Sequence, residues 1–488
     1  MASTHDGAET NFGCRQGLVI FELVIHARIS RHSVSDCGSV PQRVLIVSPS
    51  FPPKNTPDLH RVRISLPYYR EYGWEPTILC VSAESCEGRD DPDLAASIPR
   101  DIPIVAARAW DLRRCRRLGF GHLGYRSLIP LYRAGYKILA TERYQVVFFS
   151  TTVFLSFVLG PLWKRRFGCK IVYDFQDPWY HEALPYTPAT VPGKWWKYRV
   201  DQILARFLER LALRAADHII AVSQAYKHAL SRRYQRLSEA DFTILPFAAT
   251  DDDYKYAKHR QIKWRGFDRI SAGAHWFYVG ACNHGMAPIV SALFALLSSY
   301  RNANPVVWQD IHLHFIGTSY APPGRTQKLI EPLAHAAGIG DLVTEYPDRI
   351  PYFESISTYA DSDAILLIGS VDADYTASKL LTAVLSKRPI LALFHQRSLV
   401  SRLAGRFPNV FLASFAATPD EPGFGAQIER GLAWLRAPDF DTAAIERALE
   451  PWSAKESTSV QCAIFDRVIG RGEKAGSKKT SSPLLRLQ

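Results

Sequence analysis

Short runs of consecutive apolar residues recur along the chain, each followed by a stretch of helical character, beginning with Val44-Leu-Ile-Val47. A strand that is apolar throughout, rather than alternating, is buried on both faces, and such strands belong to parallel sheets covered by helices on each side. After Val47 the chain breaks at Ser48-Pro-Ser-Phe-Pro-Pro53. Thr56-Pro57-Asp58 then opens a helix with a capping hydroxyl, a proline in the first turn and an early acid, expected to run to Tyr72 and stop at Gly73. Thr77–Val81, Ile102–Val105, Val146–Phe149, Lys170–Tyr173 and His218–Val222 continue the strand series. It pauses at the polar stretch Asp251–Ala272 and restarts with Trp276–Val279, Leu313–Ile316, Leu342–Thr344, Ala364–Ile368 and Pro389–Leu393. Helical stretches separate these runs, among them Met286–Tyr300, Arg325–Ala337 and Ala377–Ser386. Strand–helix alternation implies right-handed crossovers, so the expected class is α/β with two doubly wound Rossmann-like domains in tandem.

Residues 1–40 read as a poorly ordered extension without a secretory signal, 41–255 as the first domain and 270–445 as the second. The Lys/Ser/Gly-rich residues 471–488 read as a disordered tail. Ligands are expected outside the carboxyl ends of the strands, in the cleft where the domains face each other. With 47% hydrophobic and 22% charged residues, the composition excludes disordered and collagen-like classes. Val146–Trp163 is nearly free of charge and about long enough to span a bilayer. It divides more naturally into a strand, a Ser150-Thr-Thr152 turn and a helix over Val153–Phe167. The eight cysteines form no C-x-x-C pair and no His cluster accompanies them, so neither zinc nor another metal site is expected. Cysteine usage points to a reducing, cytoplasmic compartment.

The net charge of +12 is uneven. Residues 1–250 hold 33 Lys+Arg against 23 Asp+Glu, and the remainder holds 26 against 24. Arg108–Lys170 alone carries 13 basic residues with only Asp111 and Glu142 as acids. A polyanionic partner therefore belongs to the N-terminal half.

Several segments resemble the GT-B glycosyltransferases, in particular a divergent branch of the retaining family-4 type that uses nucleotide-sugar donors. They are Phe51-Pro-Pro53 after the opening strand, Tyr173-Asp-Phe-Gln-Asp-Pro-Trp179, Arg214-Ala-Ala-Asp-His-Ile-Ile-Ala-Val-Ser223, Tyr278-Val-Gly280, Phe315-Ile-Gly317, Ala360-Asp-Ser-Asp-Ala364, and Ser378-Lys-Leu-Leu381 with Arg388-Pro-Ile-Leu391. The resemblance spans about residues 43–470 in the family's order. It implies an acceptor domain followed by a donor domain, with residues 446–470 crossing back to the first. It also implies a retaining, metal-independent hexosyltransferase with no cofactor beyond the nucleotide-diphosphate sugar. The acceptor would be a glycan or a lipid-linked molecule, as in polysaccharide biosynthesis.

Three departures stand out. Lys54-Asn-Thr-Pro-Asp58 replaces the family's glycine pair. Gly280-Ala-Cys-Asn-His-Gly-Met286 lacks its Arg and Lys. The places of its paired glutamates fall on Asp374 and Thr382. These departures keep a second reading open, a non-catalytic sugar- or nucleotide-binding subunit. A sugar-nucleotide epimerase is a third, disfavoured by the absence of that family's acid and His pattern.

Transfer requires cations on the leaving diphosphate, an acceptor hydroxyl on the sugar's reacting face and exclusion of water. Lys379, beside Thr376 and Ser378 at a helix start, is the first-choice cation, with a solvated surface lysine as the plain alternative. Tyr375 and Asp374 are read as donor contacts or as ordinary loop residues. Gly280, Asn283 and His284 follow one strand end, and Gly317, Thr318, Ser319 and Tyr320 another. Arg349 and Ile350 fall where the family's loop contacts the base. Asp58, His60 and Arg61 lie within one turn of the helix facing the cleft, with Arg61 a substitute for the missing basic pair. Asp177, with Trp179 nearby, is the first choice to orient or deprotonate the acceptor.

Arg126, Arg133 and Lys137 share one face of a helix over Tyr125–Thr141. That face is either solvated or set against an anionic membrane surface. Trp195-Trp196-Lys197-Tyr198-Arg199 reads as an interfacial anchor or a lid over the acceptor site. No nucleic-acid module accompanies these patches, so nucleic acid is not an expected partner. The combined expectation is a cytoplasmic protein with a possible peripheral site at the inner face of the membrane.

Overall fold

The computed structural model describes residues 41–181, 195–267, 273–308, 310–319, 321, 324–372 and 379–471. The strands of the first domain are β1 (Gln42–Val47), β2 (Trp74–Val81), β3 (Ile104–Ala107), β4 (Val146–Ser150), β5 (Lys170–Phe175), β6 (His218–Ala221) and β7 (Phe242–Ile244). They form one parallel seven-stranded sheet in the order β3-β2-β1-β4-β5-β6-β7. The second domain holds β8 (Ala274–Val279), β9 (Ile311–Ile316), β10 (Val343–Tyr346), β11 (Ala364–Ile368), β12 (Ile390–His395) and β13 (Val410–Phe415). These make a parallel six-stranded sheet ordered β10-β9-β8-β11-β12-β13. The strand order reverses between β1 and β4 and between β8 and β11, and a doubly wound sheet opens its ligand crevice at such a point.

The helix expected from Thr56 to Tyr72 is interrupted. A 3-10 turn over Pro57–Leu59 leads into a helix at His60–Ser65, and a second 3-10 turn at Tyr69–Tyr72 ends on Gly73 with φ 77°. Thr56 does not cap it, because its hydroxyl donates to the Asp58 carboxylate at 2.7 Å. The polar Asp251–Ala272 stretch also contains structure: Asp251–His259 is a helix capped by Thr250 and opened by three aspartates. Its Tyr256 ring lies 4.5 Å from Phe353 of the helix Tyr352–Asp361. The charge-poor Val146–Trp163 resolves into β4, a 3-10 turn at Phe154–Val158 and the helix Leu159–Phe167. No described helix is long and apolar enough to cross a membrane.

The helix Ala454–Val468 lies against the first domain. Phe465 is fully buried and packs on Trp74 at 5.3 Å and Phe148 at 5.3 Å between ring centres. Tyr69 Oη donates to Gln461 Oε1 at 2.7 Å.

The basic face expected on the crossover between β3 and β4 is corrected. Arg133 and Lys137 on the helix Leu123–Thr141 are exposed, but Arg126 is buried. Its guanidinium donates to the carbonyls of Gly121, Ser85 and Trp110 at 2.9–3.1 Å. A charge so engaged holds loops together and cannot face a membrane.

Candidate functional site

A cavity opens where the carboxyl ends of the two sheets meet. Asn55, His60, Arg61, Phe247 and Thr250 line it from the first domain's side. Gly280, Gly317, Arg349, Ile350 and Lys379 line it from the second, with Tyr352 and Thr382 nearby. Of the residues expected from sequence, it therefore gathers His60, Arg61, Gly280, Gly317, Arg349, Ile350 and Lys379.

Lys379 sits just before the helix Leu380–Leu385 and extends its ammonium over the end of β8, donating to the Val279 carbonyl at 2.6 Å. Burial, and after it the positive charge of Arg349, lower its pKa to about 8. The Lys379 ammonium and the Arg349 guanidinium thus share one stretch of cavity wall, an arrangement suited to holding an anionic group. Gly280 makes the arrangement sterically possible. Its φ is 152°, and a Cβ there would stand 1.8 Å from Lys379 Nζ. Gly317, at φ 71°, lies beneath Arg349, whose Cα would be 3.6 Å from an added Cβ. Gly280→Ala should therefore push the lysine head aside. The expected outcome is loss of most of the thermal stabilisation given by a nucleoside diphosphate, with a ligand-free stability cost of about 1–3 kcal/mol from the strained backbone. An unchanged ligand shift in the folded variant would separate Lys379 from the binding site.

The first domain's contribution differs from expectation. Arg61 reaches the cavity wall but is buried. Its Nε pairs with Asp174 at 2.8 Å and its Nη2 donates to the Leu245 carbonyl at 2.7 Å. Its charge is thus largely balanced within the protein, and it does not replace the missing basic pair. Asp58 is likewise internal. Its carboxylate accepts from Thr151 Oγ1 at 2.7 Å and from the Thr152 N–H at 3.0 Å, fastening the loop after β4 rather than facing an acceptor. Gln176 completes this buried network, donating to the Asp58 carbonyl, Ser150 Oγ and Asp174. His60 stacks on Tyr352 with ring centres 4.3 Å apart. Burial first, then the Arg63 guanidinium, lower its pKa to about 3. It is neutral at physiological pH and offers hydrogen bonding, not positive charge.

Other expected residues lie off the cavity wall. Asp177 is exposed and 3.5 Å from Tyr226 Oη, with partial loss of hydration raising its carboxyl to about 6. Trp179 packs on Phe154 with ring centres 5.8 Å apart, so it is part of the core rather than an acceptor contact. Asn283 and His284 are exposed at the end of β8. Thr318 is buried and donates to Glu345 Oε1 at 2.5 Å. Glu345 in turn accepts from the N–H groups of Leu329, Ile330 and Glu331. Thr318 therefore belongs to a helix-capping network, not to ligand contact. Ser319 closes its own loop by accepting from the Ala321 N–H at 3.1 Å. Tyr320, Asp374, Tyr375 and Ser378 lie outside the described residues.

Sequence reading missed Asp253, Tyr352, Phe247, Thr250 and Asn55. The Asp253 carboxylate receives both Arg63 Nη1 at 2.7 Å and Nη2 at 2.6 Å, and Tyr352 Oη at 2.7 Å. Tyr352's N–H donates to Asp91 of the first domain at 2.8 Å. This cluster closes one side of the cavity and joins both domains. Among the described residues, no group of three or more His, Cys, Asp and Glu is placed to hold a metal ion.

Residues 66–247 match the family model described as "Glycosyl transferase 4-like domain". No curated protein matches the sequence. Among solved structures, the chain is similar to a glycosyltransferase from Rickettsia africae ESF-5, with 13% identity, a TM-score of 0.54, and coverage of 88% of this chain and 98% of that one. It is similar to sucrose-phosphate synthase from Thermosynechococcus elongatus, at 14% identity and TM-score 0.57, covering 88% and 99%. It is similar also to HepE from Anabaena in complex with UDP, at 14% identity and TM-score 0.55, covering 87% and 100%. The two parallel sheets and these neighbours make the fold GT-B.

Proposed function

We propose that this GT-B chain, glycosyl transferase 4-like over residues 66–247, moves a sugar from a nucleotide-diphosphate donor to an acceptor hydroxyl with retention of configuration. The observation that carries the reading is Lys379, an ammonium held over Gly280 inside the interdomain cavity with Arg349 beside it. In the transfer, the acceptor oxygen bonds to the anomeric carbon while the bond from that carbon to the diphosphate oxygen breaks. Negative charge grows on the diphosphate, and Lys379 and Arg349 are positioned to balance it. The acceptor proton must leave as the new bond forms. Asp253 is the sole carboxylate on the described cavity wall and is engaged by Arg63 and Tyr352. His60, at about 3, is too weak a base to retain the proton. The departing diphosphate is then the natural proton acceptor, which requires entry of the acceptor on its own face and so favours retention. No resident cofactor or metal is needed in this scheme.

The absence of an uncommitted carboxylate on the described wall equally favours a binding subunit without turnover. Release of nucleoside diphosphate from a donor in the presence of acceptor separates the two. The HepE complex with UDP makes UDP a reasonable first probe. Binding without release from any common donor would leave the subunit reading.

The pH dependence has a defined sign. Lys379 has a folded pKa of about 8, below its ordinary 10.5, so the folded state binds fewer protons between those values. Without ligand, this group contributes stability that increases as pH rises through that window. Anion binding requires the protonated form, so donor-induced stabilisation should move the opposite way, with affinity falling up to about tenfold per pH unit above the pKa. Thermal shifts by UDP at about pH 7 and about pH 9.5 test this, and equal shifts would remove Lys379 from the anion site.

A further inference from the structure

The helix Trp195–Leu213 presents its apolar residues to water. Trp196, Val200, Ile203, Phe207 and Leu211 are all exposed, Ile203 at 67% and Phe207 at 66%. At 100° per residue these five positions fall within an arc of about 80°, so they form one continuous stripe. The orientation is fixed from behind. Ala205, Glu209, Ala212 and Leu213 are buried on the opposite face. Glu209 is paired there with Arg233 and accepts from Tyr234 Oη at 2.9 Å. A packed surface helix ordinarily turns its polar side outward, so an outward apolar stripe marks an interaction surface.

The flanks identify the partner. Arg199, Arg206 and Arg210 are exposed along one edge of the stripe, and Lys197 along the other. A second exposed apolar pair on the N-terminal half, Leu118 and Phe120, follows the basic helix Leu112–Arg117, and Phe120 packs on Tyr125 with ring centres 5.8 Å apart. Arg113, Arg114 and Arg117 of that helix are exposed. Apolar side chains in the centre with cations at the rim match a surface that is apolar inside and anionic at its edge. The side chains enter the acyl boundary while the guanidinium groups reach the phosphates.

We propose that the Trp195–Leu213 stripe docks this protein on an anionic lipid bilayer. The site lies on the N-terminal half, where the charge excess resides, on the helix that opens with the Trp195–Arg199 cluster rather than on Leu123–Thr141. That the acceptor is then membrane-borne rests on the transfer reading; bilayer docking itself does not.

The test is flotation of the full chain with vesicles of phosphatidylcholine containing roughly 30% phosphatidylglycerol, against phosphatidylcholine alone. Preferential binding to the anionic vesicles, weakened by salt, is expected. Ile203→Asp with Phe207→Asp should reduce partitioning at least about tenfold while leaving the unfolding midpoint unchanged, because both side chains point outward. Arg199→Gln with Arg206→Gln and Arg210→Gln should reduce it several-fold and flatten the salt dependence. Arg133→Gln with Lys137→Gln on the exposed face of Leu123–Thr141 should leave it unchanged. The proposal is overturned by absence of wild-type binding to anionic vesicles, or by undiminished binding of the aspartate variant. It is overturned also if the stripe instead holds two copies together, seen as a dimer that the aspartate variant converts to monomer while vesicles capture neither. A protein that binds vesicles but no nucleotide sugar would sink the transfer reading and leave this one standing.

Discussion

Lys379→Ala is expected to lower the rate of sugar transfer by about 10²–10³, equivalent to about 2.7–4 kcal/mol of lost transition-state stabilisation. The figure follows from what the side chain faces. Its ammonium is held over Gly280 by the Val279 carbonyl, beside Arg349 and half-withdrawn from solvent. Removing it leaves the growing diphosphate charge with Arg349 as its nearest described cation on the cavity wall. Arg349 is exposed at its loop and is a poorer substitute, because solvent screens it more strongly. The alanine variant should fold at least as well as the parent, since a half-buried ammonium with lowered pKa is a burden on the ligand-free state. A drop in kcat/KM with an unchanged or raised unfolding midpoint is therefore the signature, read by release of nucleoside diphosphate. A loss smaller than about fivefold would place the leaving group elsewhere.

The strands that build the centre of each sheet were legible because burial on both faces leaves a run such as Val44–Val47 or Ala364–Ile368 no reason for a polar residue. The strands missed were β7 and β13, which sit at the sheet edges. β7 has three residues broken by Thr243, and β13 is only partly buried along Val410–Leu412; its apolar run Val410-Phe-Leu-Ala413 is visible in the sequence but absent from the strand series read there. At the site, Gly280 and Gly317 could be placed because each follows a strand end, Lys379 because it opens a helix, and Arg349 through the resemblance to the family. Asp58, Arg61 and Thr318 also follow strand ends, yet their polar groups satisfy one another and the backbone. The sequence around a ligand contact and around an internal network looks alike, since both need polar atoms where a sheet gives way to loops. Asp253 and Tyr352 were invisible for a different reason. Their role arises from Arg63, 190 residues earlier in the case of Asp253, and no local pattern records such a meeting.

Asp253→Ala should destabilise the protein by about 3–5 kcal/mol, because it leaves the buried Arg63 guanidinium without its counter-charge. Arg63 is 4% exposed and Asp253 5%, and the pair is bidentate. Burial works to raise the Asp253 pKa, but the charge and hydrogen bonds of Arg63 together overcome it and hold the carboxyl below its ordinary value. A depressed carboxylate contributes stability that is present above its unfolded pKa and lost as pH falls through the folded one. The deficit of Asp253→Ala should therefore be constant near neutrality and narrow only below about pH 4, measured by urea unfolding. The double variant Arg63→Met with Asp253→Leu provides the contrast. Replacing both partners by apolar groups removes the uncompensated charge, so most of the lost stability should return. What should not return is the cavity wall. Arg63 lies over the Tyr352 ring at 4.9 Å, and Tyr352 both donates to Asp253 and stacks on His60. With its hydroxyl partner gone, Tyr352 loses the contact that fixes it between the domains, and nucleotide binding should weaken even where stability is restored. A deficit under about 1 kcal/mol in the single variant would mean that water already reaches Arg63. Full recovery of nucleotide affinity in the double variant would mean that the cluster only cements the domains and does not shape the site.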